Sequence, residues 1–259
     1  MNPLSRRAWL ATTSAAGVGL LAMRFPSAAA EADDGMVLIP AGSFLMGTTR
    51  EQAEQLARKY QCHVSWLDGE WPQRKIELPA FKLDKFPVTN RRYAAFVKAT
   101  GHTPPFHWPG LEPAVALLDH PVCNISRADA RAFAKWAGKT LPTATQWEKA
   151  ARGTDGRLFP WGNDFDPQAC QHDRGGVIPP TGTAPVGTYS RGDSPYGVKD
   201  MAGNVAEYCE DQPGSSAAYI KGGCWLTASP LNLRCAALGL SGNEKNALDY
   251  IGFRCAKEI

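Results

Sequence analysis

The chain has 259 residues, with 28 basic and 25 acidic side chains and a formal net charge of +3. That length suits one large domain or two small ones, and so even a charge balance leaves no basic face or Lys/Arg run for nucleic acid. The 25 glycines, 20 prolines and 8 tryptophans describe a loop-rich globule, because Gly and Pro interrupt regular elements and Trp supplies apolar area where those elements are short.

Ser5-Arg6-Arg7-Ala8-Trp9-Leu10 is a twin-arginine pattern, followed by a weakly apolar run from Trp9 to Met23 that is too short to persist as a membrane anchor. Ala28-Ala29-Ala30 supplies the small residues a signal peptidase requires, so cleavage is expected after Ala30 and the mature protein in the periplasm. Residues 1–30 are thus read as a twin-arginine signal peptide and residues 31–259 as one domain. The leader holds Arg6, Arg7 and Arg24 and no acid, which places the whole charge excess in it. No second apolar run of membrane length follows, so no mature membrane anchor is expected. All seven cysteines lie beyond the leader. An oxidising compartment permits disulfides, and an odd count leaves at least one thiol unpaired. The lack of any Cys-x-x-Cys argues against a zinc ribbon.

Along the mature chain, Val37 to Ile39 reads as a strand. Glu51 to Tyr60 reads as a helix with Ala53, Leu56, Ala57 and Tyr60 on one face. A strand is expected over Ile76 to Leu83. Thr89 then caps a helix carrying Tyr93, Phe96 and Val97 that Gly101 closes. Ser126 with Asp129, and Thr143 with Gln146, form capping boxes for two more helices, the first burying Phe133, Ala134 and Ala137 before Gly138, the second ending at Gly153. Strands fit Ala206 to Cys209, Tyr219 to Trp225 and Gly252 to Cys255. This is the pattern of a single α+β domain.

Within Asp200-Met-Ala-Gly-Asn-Val-Ala-Glu207 two carboxylates flank a Gly-Asn turn. Calcium takes several hard oxygen ligands and accepts backbone carbonyls beside carboxylates. The segment is therefore either a cation loop or a solvated turn between two surface acids.

Six blocks occur in order: MVLIPAGSFLMGT (36–48), FKLDKFPVTNRRYAAFV (81–97), HPVCNISRADARAFAKWAGKTLPTATQWEKAARG (120–153), RLFPWGN (157–163), APVGTYSRGDSPYGVKDMAGNVAEY (184–208) and KGGCWL…LRCAA…IGFRC (221–255). Together they resemble the formylglycine-generating enzyme, or sulfatase-modifying factor, family. The resemblance implies an irregular α+β fold related to C-type lectins and a structural calcium held by Asp200, Gly203, Val205 and Glu207. A second family calcium site is doubtful, since Cys170 stands where its Asn is expected; Asp164, Asp166 and Asp173 are the acids nearby. Trp136, Trp147 and Trp161 read as architectural, and the five histidines as structural or exposed rather than as metal ligands.

The same resemblance locates a departure. Formylglycine-generating members follow Lys-Gly-Gly with two cysteines that bind copper as thiolates, soft ligands suited to Cu(I). Here Thr227 stands at the first of those positions, no cysteine occurs between Thr227 and Arg234, and Cys224 replaces an active-site serine. Copper-dithiolate activation of sulfatases is therefore not expected, and the identity of any redox metal is left open. Cys224 is either a buried or disulfide-bonded thiol, with Cys209 as cross-strand partner, or a reactive thiolate. The expected substrate pocket comprises Cys224, Trp225, Thr227 and Arg234, with Glu244 as a general base or an exposed loop acid. The implied function is that of a periplasmic oxidase or maturation factor, like exported PvdO- and NirV-type members. It would act on a peptide, a siderophore precursor or another small molecule, or a periplasmic metalloenzyme. The alternative is a non-catalytic C-type-lectin-like binding or accessory module, since fold does not dictate function.

Overall fold

A computed structural model describes residues 35–175, 182–210, 218–241 and 247–259. The expected signal peptide lies outside these residues, as does Glu244. The unit Gly35–Ile259 opens with strands β1 (Met36–Ile39) and β2 (Gly42–Met46) and helix α1 (Arg50–Lys59). Strands β3 (Arg74–Leu78) and β4 (Phe81–Asp84) lead to helices α2 (Asn90–Thr100), α3 (Arg127–Trp136) and α4 (Ala144–Arg152). Five short strands complete it: β5 (Ala206–Tyr208), β6 (Ala218–Lys221), β7 (Gly239–Ser241), β8 (Ile251–Gly252) and β9 (Ala256–Glu258). The architecture is mixed α and β.

Local chemistry sets the helix ends where the sequence places them. Thr49 and Gln52, Ser126 and Asp129, and Thr143 and Gln146 each exchange the two hydrogen bonds of a capping box, satisfying amides that a first helical turn leaves without partners. Gly101 closes α2 with φ 70°.

The strands depart from expectation in instructive ways. The stretch Ile76–Leu83 is two strands, because Pro79 interrupts it and cannot donate to a ladder. β3 pairs with β2, while β4 lies between β1 and β9 in a separate antiparallel sheet. The strand expected to reach Trp225 stops at Lys221, where Gly222 and Gly223 turn the chain with φ of 91° and 65°. Gly252–Cys255 is the end of β8 and the irregular link to β9. β2 and β7 had no sequence signal. The order β7-β6-β5-β8 makes a four-stranded sheet in which β5 and β8 run parallel.

One core cluster joins α2 and α3 to β5 and β8. Tyr93 stacks on Phe133 at 5.8 Å between ring centroids, and Phe253 meets both edge-on. A second lies between β4, β9 and α4, with Trp147 fully buried. Trp136, read as architectural, is 44% exposed. It sits at the last position of α3 and lays its ring beside Phe96 and Phe133 at 5.6 Å, covering the core rather than filling it.

Where the second cluster meets the four-stranded sheet, a buried ion pair replaces apolar packing. Glu207 on β5 accepts from Arg254 Nε and Nη2 at 2.7 Å each and from Trp147 Nε1 at 2.7 Å. Arg254 also donates to the carbonyls of Asp84, Lys85 and Lys199. Both side chains are at most 1% exposed. Removing one member leaves the other as an uncompensated buried charge, so Arg254→Met is expected to cost about 3–5 kcal/mol in urea unfolding. A loss under about 1 kcal/mol would show that the pair does not hold this junction.

Candidate functional site

The turn before β5 is built from left-handed backbone. Asp200 and Asn204 have φ of 56° and 62°, and Gly203 has 73°. A Cβ at Gly203 would lie 2.1 Å from the Gln171 carbonyl oxygen, so only glycine lets the turn close against that segment. Asn204 locks it from within: its side chain accepts from the Ala184 amide at 3.0 Å and donates to the Ala184 carbonyl at 3.1 Å.

Asp200 is buried, and its Oδ2 accepts from the Gly187 amide at 2.7 Å. Burial pushes its carboxyl up to about 6, against the opposing pull of that amide and of Arg254. Among the described residues, no backbone amide outside the helices and strands donates to the carbonyls of Gly203 or Val205. A carboxylate without a basic partner in contact and two open carbonyls are the hard oxygen donors that calcium takes. Glu207, the fourth residue of the expected set, differs: Arg254 and Trp147 already occupy both of its oxygens. A calcium ion would share that carboxylate with Arg254. With that restriction the residues fit the ion.

The loop after Gly223 gathers Cys224, Trp225 and Thr227. Thr227 Oγ1 accepts from the Cys224 amide at 3.0 Å and lies 3.6 Å from Cys224 Sγ, while the Thr227 amide donates to the Cys224 carbonyl at 2.9 Å. The hydroxyl thus spends a lone pair on the backbone and faces the sulfur, a contact in which either atom can donate. Burial raises the Cys224 thiol, and the Thr227 contact only partly opposes this. The side chain is a neutral thiol at neutral pH. Trp225 Nε1 reaches the Asp249 carbonyl at 3.5 Å, and its ring covers Gly182.

Arg234 is not brought to this loop's polar cluster. It is buried against Glu70, donating to both carboxylate oxygens at 2.8 and 2.7 Å, and its Nε binds the Leu231 carbonyl. A copper dithiolate does not fit the loop as composed, because Thr227 offers a hydroxyl where a soft sulfur would be needed. The suggested Cys209–Cys224 bridge is overturned by register. Cys209 donates its amide to the Tyr219 carbonyl, while Cys224 lies beyond the other end of β6, and none of the seven cysteines is joined in a disulfide.

Sequence reasoning overlooked the other side of this site. The Asn124 amide donates to the Leu248 carbonyl at 3.0 Å, which sets the 123–124 segment against the same stretch that receives Trp225. Cys123 is buried there, its thiol pushed up to about 12 by burial, with the charges of Asp249 and Cys224 acting in the same direction. His107 Nδ1 lies 3.2 Å from Asn124 Nδ2. The Asp173 amide donates to the Thr227 carbonyl, and the adjacent His172 is buried with Nε2 lacking a partner among the described residues. None of these has a local motif; only the fold assembles them. Among the described residues no group of three or more His, Cys, Asp or Glu side chains could hold a metal.

Comparison with known proteins places this geometry in context. Residues 22–259 match the family described as sulfatase-modifying factor enzyme 1-like domain. The formylglycine-generating enzyme of Thermomonospora curvata is 32% identical over 299 residues, covering 86% of this chain and 93% of that protein. The inactive C-alpha-formylglycine-generating enzyme 2 of Mus musculus is 29% identical, covering 86% of each. Among solved structures, PvdO from Pseudomonas aeruginosa superposes with a TM-score of 0.69 at 23% identity, over 86% of this chain and 94% of that one, and so has the same fold.

The raised Cys224 thiol sets a measurable expectation. In the native protein iodoacetamide should modify half-buried Cys62 first. Alkylation of Cys224 should stay slow until pH exceeds the ordinary thiol value of about 8.5. Rapid modification of Cys224 at pH 7, read by peptide mass spectrometry, would show a thiolate instead.

Proposed function

We propose a function from the premise that this chain belongs to the sulfatase-modifying factor enzyme 1-like family, as the match over residues 22–259 and the 32% identity to a formylglycine-generating enzyme establish. Membership alone does not decide activity, because a catalytic and an inactive relative stand at 32% and 29% identity. The reading we adopt is a periplasmic oxidase or maturation factor. It acts on a peptide, a small molecule such as a siderophore precursor, or a metalloenzyme, and does not activate sulfatases through a copper dithiolate. The twin-arginine pattern of residues 5–10 supports export.

The observation that carries this reading is the Cys224–Thr227 contact at 3.6 Å. Where copper-dependent relatives place a sulfur, this chain places a hydroxyl that can donate to the remaining sulfur. Cys224 is then a proton-holding thiol at the start of the loop, with Trp225 forming one wall and fixing the loop on the 248–249 backbone. A substrate group entering here meets a thiol, a hydroxyl and an indole face, a combination that positions a polar group against an aromatic ring.

Expression in a bacterial host should release the mature chain into the periplasm, and Arg6→Lys with Arg7→Lys should retain it in the cytoplasm. The purified mature protein should form no aldehyde on a cysteine-containing sulfatase peptide supplied with copper and oxygen. Formylglycine detected by mass spectrometry would overturn the assignment. Once a substrate is in hand, Cys224→Ala should abolish turnover if Cys224 takes part in the chemistry; unchanged turnover would place the reaction elsewhere.

The open carbonyls of Gly203 and Val205 and the buried Asp200 carboxylate support a calcium ion that braces the turn before β5. Bound calcium contributes no electrons, so its role is stability. Saturating calcium should raise Tm by about 5 °C or more over the chelator-treated protein. Asp200→Asn should remove most of that rise, whereas an equal rise in that variant would place the ion elsewhere.

A further inference from the structure

A cavity of about 850 Å³ opens between the antiparallel β2–β3 pair, the first turns of α4, and β6, within the size range of small-molecule sites. It is distinct from the Cys224 loop: none of Cys224, Trp225 and Thr227 lines it. Its side wall follows from strand alternation. Arg74, Ile76 and Leu78 point one way along β3 and all three line the cavity, while Lys75 and Glu77 do not. Trp71 and Tyr219, 41% and 37% exposed, add aromatic surface to the wall.

The charges of this cavity are unequally matched. Glu70 is neutralised by Arg234, and Glu210 by Arg131. Glu148 is shared by two cations, Lys221 at 3.0 Å and Arg152 at 2.8 Å, so that group already carries one positive charge in excess. Arg74 has no hydrogen-bond or ion-pair partner among the described residues. Among the described residues every carboxylate on the wall is therefore occupied, and the free capacity is cationic. A guanidinium offers a planar fork that matches a carboxylate through two parallel hydrogen bonds.

We propose that this cavity is a second binding site, for a small organic carboxylate with an apolar or aromatic body. Arg74 grips the carboxylate; the body lies against Ile76, Leu78, Trp71 and Tyr219. The site stands independently of the reading of the Cys224 loop, and binding there requires no chemistry at that loop.

The mature protein can be titrated with phenylbutyrate, phenylbutanol and phenylbutylamine, three probes that share a body and differ in charge. Saturation-transfer NMR and calorimetry should show saturable binding of the acid and much weaker binding of the alcohol and the amine. Arg74→Gln should weaken the acid about tenfold. Arg74→Glu should reverse the preference toward the amine, an exchange that mere loss of structure would not produce. Absence of saturable phenylbutyrate binding, equal binding of the amine, or unchanged affinity in both variants would overturn the proposal.

Discussion

One buried carboxylate organises this protein. Glu207 holds Arg254 through two short hydrogen bonds and Trp147 through a third. Arg254 then reaches the backbone at residues 84–85 and 199. The pair thereby ties β5 to the link between β8 and β9, to α4, to the end of β4 and to the turn that opens at Asp200. In a fold made of strands two to five residues long, few ladders are extensive enough to fix these relations alone. A fully desolvated pair is costly unless every donor and acceptor is matched, and here the matching is what selects one arrangement of loops.

The arrangement divides the two carboxylates of the Asp200–Glu207 segment into different roles. Glu207 is neutralised inside the protein. Asp200 is buried with an amide for company and a carboxyl raised to about 6. The turn therefore keeps one unmet electrostatic need beside two open carbonyls. The loop after Gly223 shows the opposite economy: Thr227 satisfies the Cys224 amide and faces its sulfur, so the thiol is settled rather than strained or charged. A hydroxyl beside a neutral thiol is a poorer ligand set for a soft metal than a pair of thiolates.

A second buried network, Glu148 with Lys221 and Arg152, does for the β2–β3 pair what Glu207 does for the sheet. Glu148 also accepts from the Gly47 amide at 2.7 Å, and Arg152 donates to the Gly47 carbonyl at 2.8 Å, so the end of β2 is clamped to α4. Two members of this network, Glu148 and Lys221, also stand in the wall of the large cavity. Part of the charge that the cavity presents is therefore set by the way the end of β2 is held.

Much of this was legible along the chain. Capping boxes and a C-terminal glycine are local, so four helices could be placed, three of them with their caps, and six ordered blocks sufficed to identify the family. That no cysteine stands between Cys224 and Cys235, and that position 227 is a threonine, was visible directly. Tertiary structure alone decided the rest. That Arg234 serves Glu70, that Glu207 is claimed by Arg254, that Cys209 and Cys224 lie at opposite ends of β6, and that Cys123 stands across from the Cys224 loop all depend on partners distant in sequence. Propensity and spacing act over a few residues; the desolvation that makes a buried charge choose its partner exists only after the chain has closed around it.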